Sequence, residues 1–276
     1  MVVDENGDIW FRQSWLDTAN RCNERGRLAL VFPEETSNDA AAVGTCTHAA
    51  IQAVLDKTLQ PEDAPEWVYE YGLNHCATEP IRWVSYTLPS QVADHAVRCT
   101  TAFVRELLPH IEPGGQTEVA FKVPLFEWRD HTVGITGTVD YVPPVDPLHD
   151  WKTSSRKFDQ RIKQRTAIQP TVYATAAVHG AFGRPFEWPV VFRYGVMIRG
   201  REKATTQLFD VQRTHGHEGW LIDQMRTYLN LAHALGVTEA TWPRDEDHFL
   251  CNETWCPWWS MCKGARLTTD QDNWSA

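Results

Sequence analysis

No run of about 18 consecutive apolar residues occurs in this 276-residue chain, and its opening, MVVDENGDIWF, has no basic stretch leading into an apolar one. Those absences predict neither a membrane span nor a signal peptide, and therefore an intracellular, cytoplasmic protein. Positive charge is also scarce: 26 Lys and Arg stand against 36 Asp and Glu, a formal net charge of −10. That balance excludes a protein that coats nucleic acid with its whole surface, although a local basic stripe can still hold phosphate on an acidic body. Neither an internal repeat nor a long low-complexity break interrupts the sequence, so the length suffices for a substantial core in one integrated domain with decorations at both ends. The seven cysteines are an odd number spread over a chain of ordinary size, which is not how a secreted disulfide framework is built.

What is present begins with helical periodicity. Trp15, Leu16, Ala19 and Cys22 recur at helical spacing between Ser14 and Leu30, with Ser14 and Asp17 arranged as a capping box, so Cys22 is predicted on an apolar helix face. A second helix is expected from Gly44 or Thr45, with His48, Ile51, Leu55 and Leu59 on one side and His48 turned inward. A third runs from Ser90 to about His110 and is ended by Pro113, Gly114 and Gly115. From Thr117 the period becomes two. Val119, Phe121, Val123 and Leu125 alternate with polar residues, and Val133, Ile135 and Val139 follow a polar turn, which reads as an antiparallel hairpin. A short strand is expected over 148–153, a long helical region over about 156–179 bent or restarted near Pro170, strands over 190–198 and 205–211, a helix over 218–235, and a loose tail in LTTDQDNWSA.

The hairpin and the strand after it carry the chemistry. Gly137, Thr138, Val139 and Asp140 end one strand while Asp150, Trp151 and Lys152 lie on the next, which brings two carboxylates and an ammonium group to one sheet edge. Phosphodiester hydrolysis uses that combination: hard oxygen ligands hold Mg²⁺ or Mn²⁺, and a nearby lysine positions the attacking water. His48 can add a neutral imidazole from its helix. Gln169 and Tyr173, four apart on one helix face, can donate hydrogen bonds to phosphate oxygens or to the catalytic groups. Arg156, Lys157, Arg161, Lys163 and Arg165 follow the lysine directly, a local excess that predicts a phosphate track, and Arg199, Arg201 and Lys203 could extend it.

Near the C-terminus, Cys251, Cys256 and Cys262 lie within the twelve residues CNETWCPWWSMC, just before Lys263 and Gly264. Three thiolates in so short a span suit a metal centre, with a fourth ligand needed from elsewhere in the fold. Cys46, Cys76 and Cys99 are expected in the core as small apolar residues. His215 and His217 are read as cap and loop residues. Most of the thirteen tryptophans should pack the interior, and Trp255, Trp258 and Trp259 suit either base stacking or packing around the cysteines.

In order along the chain, the helix with His48, the G-x-x-D of Gly137 to Asp140, the D-x-K of Asp150 to Lys152 and the Q-x-x-x-Y of Gln169 to Tyr173 resemble the RecB-like branch of the PD-(D/E)XK nucleases. The CRISPR-associated RecB-like exonucleases and their phage relatives are especially similar, over about residues 11 to 264. The resemblance implies an α/β, restriction-endonuclease-like core: a mixed central sheet flanked by helices, with an N-terminal helical region over 1–113, the nuclease core over 114–243 and a metal-cluster segment and tail over 244–276. It implies that His48, Asp140, Asp150 and the backbone carbonyl of Trp151 bind Mg²⁺ or Mn²⁺, that Lys152 acts on the attacking water, and that Gln169 and Tyr173 help to hold substrate. It also implies that Cys22 joins Cys251, Cys256 and Cys262 around a [4Fe-4S] cluster, for which structural Zn²⁺ is the competing occupant. The expected activity is metal-dependent exonuclease action on DNA, at single-stranded ends, in recombination, repair or phage DNA processing. The alternatives are a DNA-end-binding adaptor without catalysis and a zinc-stabilised structural protein.

Overall fold

A computed structural model describes residues 1–32, 37–145, 147–238, 240–248 and 250–262. In chain order it contains β1 (Val2–Val3), β2 (Ile9–Arg12), α1 (Gln13–Arg21), α2 (Asn23–Val31), β3 (Ser37–Asn38), α3 (Asp39–Leu55), α4 (Ala64–Thr78), β4 (Ile81–Arg82) and α5 (Pro89–Ala102). There follow β5 (Gln116–Trp128), β6 (His131–Val142), β7 (Leu148–Ser154), α6 (Gln160–Thr166), α7 (Ile168–Val178), β8 (Val190–Ile198), β9 (Thr205–Arg213) and α8 (His215–Leu235). The class is mixed α/β, a mixed sheet flanked by helices, as expected. The chain divides into two compact units: residues 1–34, 124–136 and 219–276 form one, and 35–123 with 137–218 the other.

In the first unit, β1 lies antiparallel to β2, and β2 runs parallel to the start of β6 with Ile9 opposite Val133 and Arg12 opposite Thr136. Helices α1 and α2 replace the single helix expected from Ser14 to Leu30. Cys22 between them is extended (φ −166°, ψ 120°), so it sits at the break and not on a helix face. The chain folds back so tightly that a Cβ on Gly26 would lie 2.6 Å from the Ala19 Cβ, an approach only glycine allows. Nor does the expected capping box form. Strand β2 feeds straight into α1 with Arg12 at the N-cap and no side-chain cap, and the Ser14 carbonyl instead accepts a bond from the Thr18 hydroxyl. The tail expected after Arg266, together with Lys263 and Gly264, lies outside the described residues.

The second unit carries the rest of the sheet. The end of β6 is antiparallel to β7 through Tyr141 and His149; β7 is parallel to β8 from Leu148 opposite Phe192 to Ser154 opposite Ile198; and β8 is antiparallel to β9. Strands β5 and β6 are joined at Arg129 and Asp130, both with positive φ (48° and 64°), the conformation of the tightest hairpin turns. Helices α3 and α5 pack together over β7 and β8, burying Ala42, Val43, Cys46, Ile51, Cys99 and Phe103 against Trp151 and Met197. Cys46 and Cys99 are therefore core residues, as predicted, and Cys76 packs half-buried against them.

Helix α3 begins earlier than predicted because the Asn38 side chain accepts from the Ala41 N–H and Asp39 occupies the first turn, where a carboxylate meets the positive end of the helix. Helix α5 continues as one π turn (Phe103–Leu107) and a short 3₁₀ turn, close to the expected end at His110. Of the bend or restart expected near Pro170 in the helical region over 156–179, the restart is found: there are two helices with Ala167 extended between them. Pro170 supplies the reason: it sits in the first turn of α7, where no backbone donor is needed, whereas in a continuous helix its ring would clash with the carbonyl of Thr166. Helix α4 and the short strands β1 to β4 had no sequence signal strong enough to predict them.

Candidate active site

Asp140 closes β6, Asp150 and Lys152 lie on β7, and α3 supplies His48. The His48 Nδ1 is 3.6 Å from Asp140 Oδ2, and the ligand atoms of His48, Glu118 and Asp140 all lie within 4.8 Å of one another. Asp140 Oδ2 also accepts from the Trp151 N–H at 2.7 Å, while the Trp151 backbone bonds to His48. Asp150 is fully buried and belongs to a second group: its Oδ2 is 2.5 Å from Lys152 Nζ, and its Oδ1 accepts from Gln169 Nε2 at 2.7 Å. Gln169 is in turn 3.1 Å from the Tyr173 hydroxyl, which donates to the Thr138 carbonyl at 2.7 Å. Gln169 thus bonds the Asp150 carboxylate, and Tyr173 ties Gln169 to the Thr138 backbone.

Glu118 is the residue that sequence reasoning missed. Alternation along β5 marked it as one more outward polar side chain, but its backbone has φ 47°, and the strand delivers its carboxylate beside His48 and Asp140. A positive φ at a non-glycine residue leaves no trace in the sequence.

Crowded carboxylates set the electrostatics. Burial, then the Asp140 charge, pushes Asp150 up to about 6 despite its lysine partner. Burial also raises Asp140. Glu118 is pushed up to about 7 by burial and then by Asp140 and Asp150. His48 is lowered to about 4 by burial and then by Lys152, so its imidazole is neutral at physiological pH and has a lone pair to give. Three acids facing one ammonium group form a site with surplus negative charge that a divalent cation would neutralise. Around it, Ala41, Gly44, Thr45 and Ala49 on α3, with Gln52, Tyr71 and Glu118, line an open groove of about 460 Å³. Small side chains at those helix positions leave room for a strand to approach His48.

The basic run after Lys152 is split by the fold. Arg156, Lys157, Arg161 and Arg165 are exposed, with Arg161 and Arg165 four apart on the outer face of α6. Lys163 turns the other way, its Nζ 4.3 Å from the Phe158 ring centre and 5.8 Å from that of Tyr194. His215 and His217 lie within the first turn of α8, which begins before the expected start at Glu218, so neither is a loop residue; the Thr214 N–H donates to His217 Nδ1, a capping contact.

Within the first unit, Cys22, Cys251, Cys256 and Cys262 line one cavity of about 30 Å³ together with Arg21, Arg25 and Arg244. The α1 to α2 break aims Cys22 at that cavity. Arg25 leaves its Nε and Nη1 buried and without a hydrogen bond there, and burial raises the Cys262 thiol. Trp258 is buried and donates to the Phe32 carbonyl at 2.9 Å, so it packs; Trp259 lines the cavity, and Trp255 is exposed.

A family model described as the PD-(D/E)XK nuclease superfamily matches residues 13–263. A solved structure from Eubacterium rectale, provisionally named an exonuclease, aligns with 86% of this chain and 85% of its own at 14% identity and a TM-score of 0.51, a likeness of fold. Comparison with curated protein sequences returned no match. Among the described residues no helix is long and apolar enough to cross a membrane.

Proposed function

The chain belongs to the PD-(D/E)XK nuclease superfamily, and from that premise we propose that it is a metal-dependent exonuclease acting on single-stranded DNA ends, in recombination, repair or phage DNA processing. The observation that carries the reading is the convergence of His48, Glu118 and Asp140 within 4.8 Å of one another, beside the Asp150 and Lys152 pair at 2.5 Å. A neutral imidazole and two carboxylates suit Mg²⁺ or Mn²⁺, with the Trp151 carbonyl and Asp150 at the margin of the set. When bound, the ion would offset phosphate charge and make water a better nucleophile.

The protein's own groups do the rest. Lys152, held by Asp150, would orient the water for attack on phosphorus and stabilise the charge that grows on the phosphate oxygens. The bond to the 3′ oxygen breaks, leaving a 5′ phosphate and a 3′ hydroxyl. Gln169 locks the Asp150 carboxylate, and Tyr173 locks Gln169 against the end of β6. Arg156, Lys157, Arg161 and Arg165 would line the approach of the strand, and Lys163 would contribute at its inner side.

The four-cysteine cavity fits a thiolate-ligated cofactor, because unbonded guanidinium nitrogens of Arg25 face a site that would carry net negative charge. We assign it to a [4Fe-4S] cluster on the pattern of one N-terminal and three C-terminal cysteines; a colourless preparation containing zinc would refute that assignment. The nuclease reading is tested by incubating end-labelled single-stranded DNA with Mn²⁺ and either the wild type or Lys152→Ala. Degradation by the wild type, reduced at least about 100-fold in the variant, is expected. Equal degradation by both would remove the mechanism, and binding of ends without cleavage would favour an adaptor.

A further inference from the structure

Some partly buried arginines in this protein are well matched. Arg193 makes a two-pronged pair with Asp210, and Arg213 donates to five acceptors, the Thr171 hydroxyl and the carbonyls of Gln164, Gln212, Lys163 and Ala167. Arg98 on α5 and Arg199 just after β8 are not. Each makes one side-chain hydrogen bond to a neutral group, Arg98 to the Arg201 carbonyl at 3.0 Å and Arg199 to the Tyr86 hydroxyl at 3.1 Å. Their Nε atoms, and Nδ1 of His95, are shut off from solvent and make no hydrogen bond within the protein. Among the described residues no carboxylate forms an ion pair with either guanidinium.

These groups form one cluster. The His95 ring lies 4.9 Å from that of Tyr86, and burial, then Arg98 and Arg199, lowers its pKa. Asp94 acts on His95 in the opposite sense. Tyr86 is fixed by Asp39, fully buried at the start of α3, whose Oδ2 accepts from the N–H groups of Val84, Ser85 and Tyr86 at 2.8, 2.5 and 2.7 Å. Those three bonds hold the Asp39 carboxyl low against the opposing effect of burial. All three bonds go to Oδ2; the Oδ1 of Asp39 is buried without a hydrogen bond and belongs to the same cluster.

The buried Nε atoms of the two arginines and the buried Nδ1 of His95 lack a hydrogen bond within the protein, a deficit that an incoming anion would make good. Their place in the fold says which. The Arg199 N–H donates to the Ser154 carbonyl at 2.7 Å, two residues beyond Lys152 on the same strand. At the usual strand rise Ser154 lies about 7 Å beyond Lys152 along the backbone, a step similar to the spacing of neighbouring phosphates in an extended nucleic-acid strand. Resting on the proposed nuclease function, we infer that Arg98, Arg199 and His95 form a second phosphate subsite, which grips the DNA strand next to the position being cut. Planar guanidinium forks match phosphate oxygens in a way lysine cannot, and the buried setting strengthens each contact.

The test reads binding in EDTA, where no hydrolysis occurs, for the wild type, Arg98→Gln, Arg199→Gln and the double variant. Fluorescence anisotropy with a short labelled single-stranded oligonucleotide should show affinity about tenfold weaker in the double variant, and a plot of log affinity against log salt shallower by about 0.7 for each arginine removed. Inorganic phosphate should raise the melting temperature of the wild type and not of the double variant. With Mn²⁺, KM for DNA should rise while kcat changes little. Loss of the phosphate effect with DNA affinity unchanged would assign the pocket to a free phosphate compound and overturn the strand subsite. No change in either probe would overturn the site altogether. Should the double variant fail to fold, Arg199→Lys takes its place, with intermediate affinity expected and wild-type affinity refuting. A wild type that binds DNA with this salt dependence but never cuts would sink the nuclease reading and leave the subsite standing.

Discussion

Replacing Asp150 by Asn should abolish cleavage and at the same time stabilise the metal-free protein at pH 8. Asp150 is fully buried, and burial with the neighbouring Asp140 charge holds its pKa at about 6 against an ordinary 3.8. A folded pKa above the unfolded one means that the contribution is fully present below pH 3.8 and is lost as pH rises through about 6. At pH 8 the ionised carboxylate therefore costs about 3 kcal/mol relative to its neutral form, at 1.36 kcal/mol per unit. That figure already includes the attraction of Lys152, which acts in the opposite direction. Asn imitates the neutral acid, keeps an oxygen for the Gln169 donor, and releases a lysine that is one-third exposed and can reach water. Urea denaturation in EDTA should give Asp150→Asn the higher midpoint at pH 8, by about 2 to 3 kcal/mol in free energy, with the gap closing toward pH 4. A variant less stable than the wild type at pH 8, or a gap that does not depend on pH, would refute the reasoning.

The remaining predictions follow from the same contacts. Adding Mn²⁺ to the wild type at pH 8 should raise its unfolding free energy by about 2.7 kcal/mol at a hundredfold excess over the dissociation constant, and far less at pH 5, where Glu118, with a pKa of about 7, is protonated; equal stabilisation at both values would remove Glu118 from the ligand set. Gln169→Ala should lower kcat roughly tenfold through loss of a charge-assisted bond to Asp150, with KM nearly unchanged, whereas a rise in KM alone would make Gln169 a substrate contact. Cys256→Ser and Cys262→Ser should each bleach the brown colour near 400 nm expected of a thiolate-bound iron cluster, an order-of-magnitude wavelength, and unfold more readily. Full colour in both would reassign the cavity.

Local signals carried much of the site. Period-two alternation located β5 to β9 within a few residues, and because β6 and β7 are neighbours, G-x-x-D and D-x-K were legible as one edge. The spacing of four put Gln169 and Tyr173 on one turn of α7. The break at Cys22 was misread from periodicity because an apolar pattern can continue in register across it: Cys22 is extended although the residues on both sides are helical, where the chain must fold back past Gly26. The restart near Pro170 was legible because proline needs a first turn.

The amino-acid sequence by itself determined the order of the acids, lysine and imidazole and the two regions that contain the clustered cysteines and Cys22, since each depends on spacing within one element or on residue type, while the class of fold came from the resemblance those motifs carry. Tertiary structure alone decided which groups meet. Glu118 enters the site through a backbone conformation that residue type does not announce, Asp150 turns from the His48 group toward Lys152 and Gln169, and Arg98 and Arg199, about a hundred positions apart, come together only because α5 packs over β8. Convergence of that kind comes from long-range packing in three dimensions, and local sequence pattern holds no record of it.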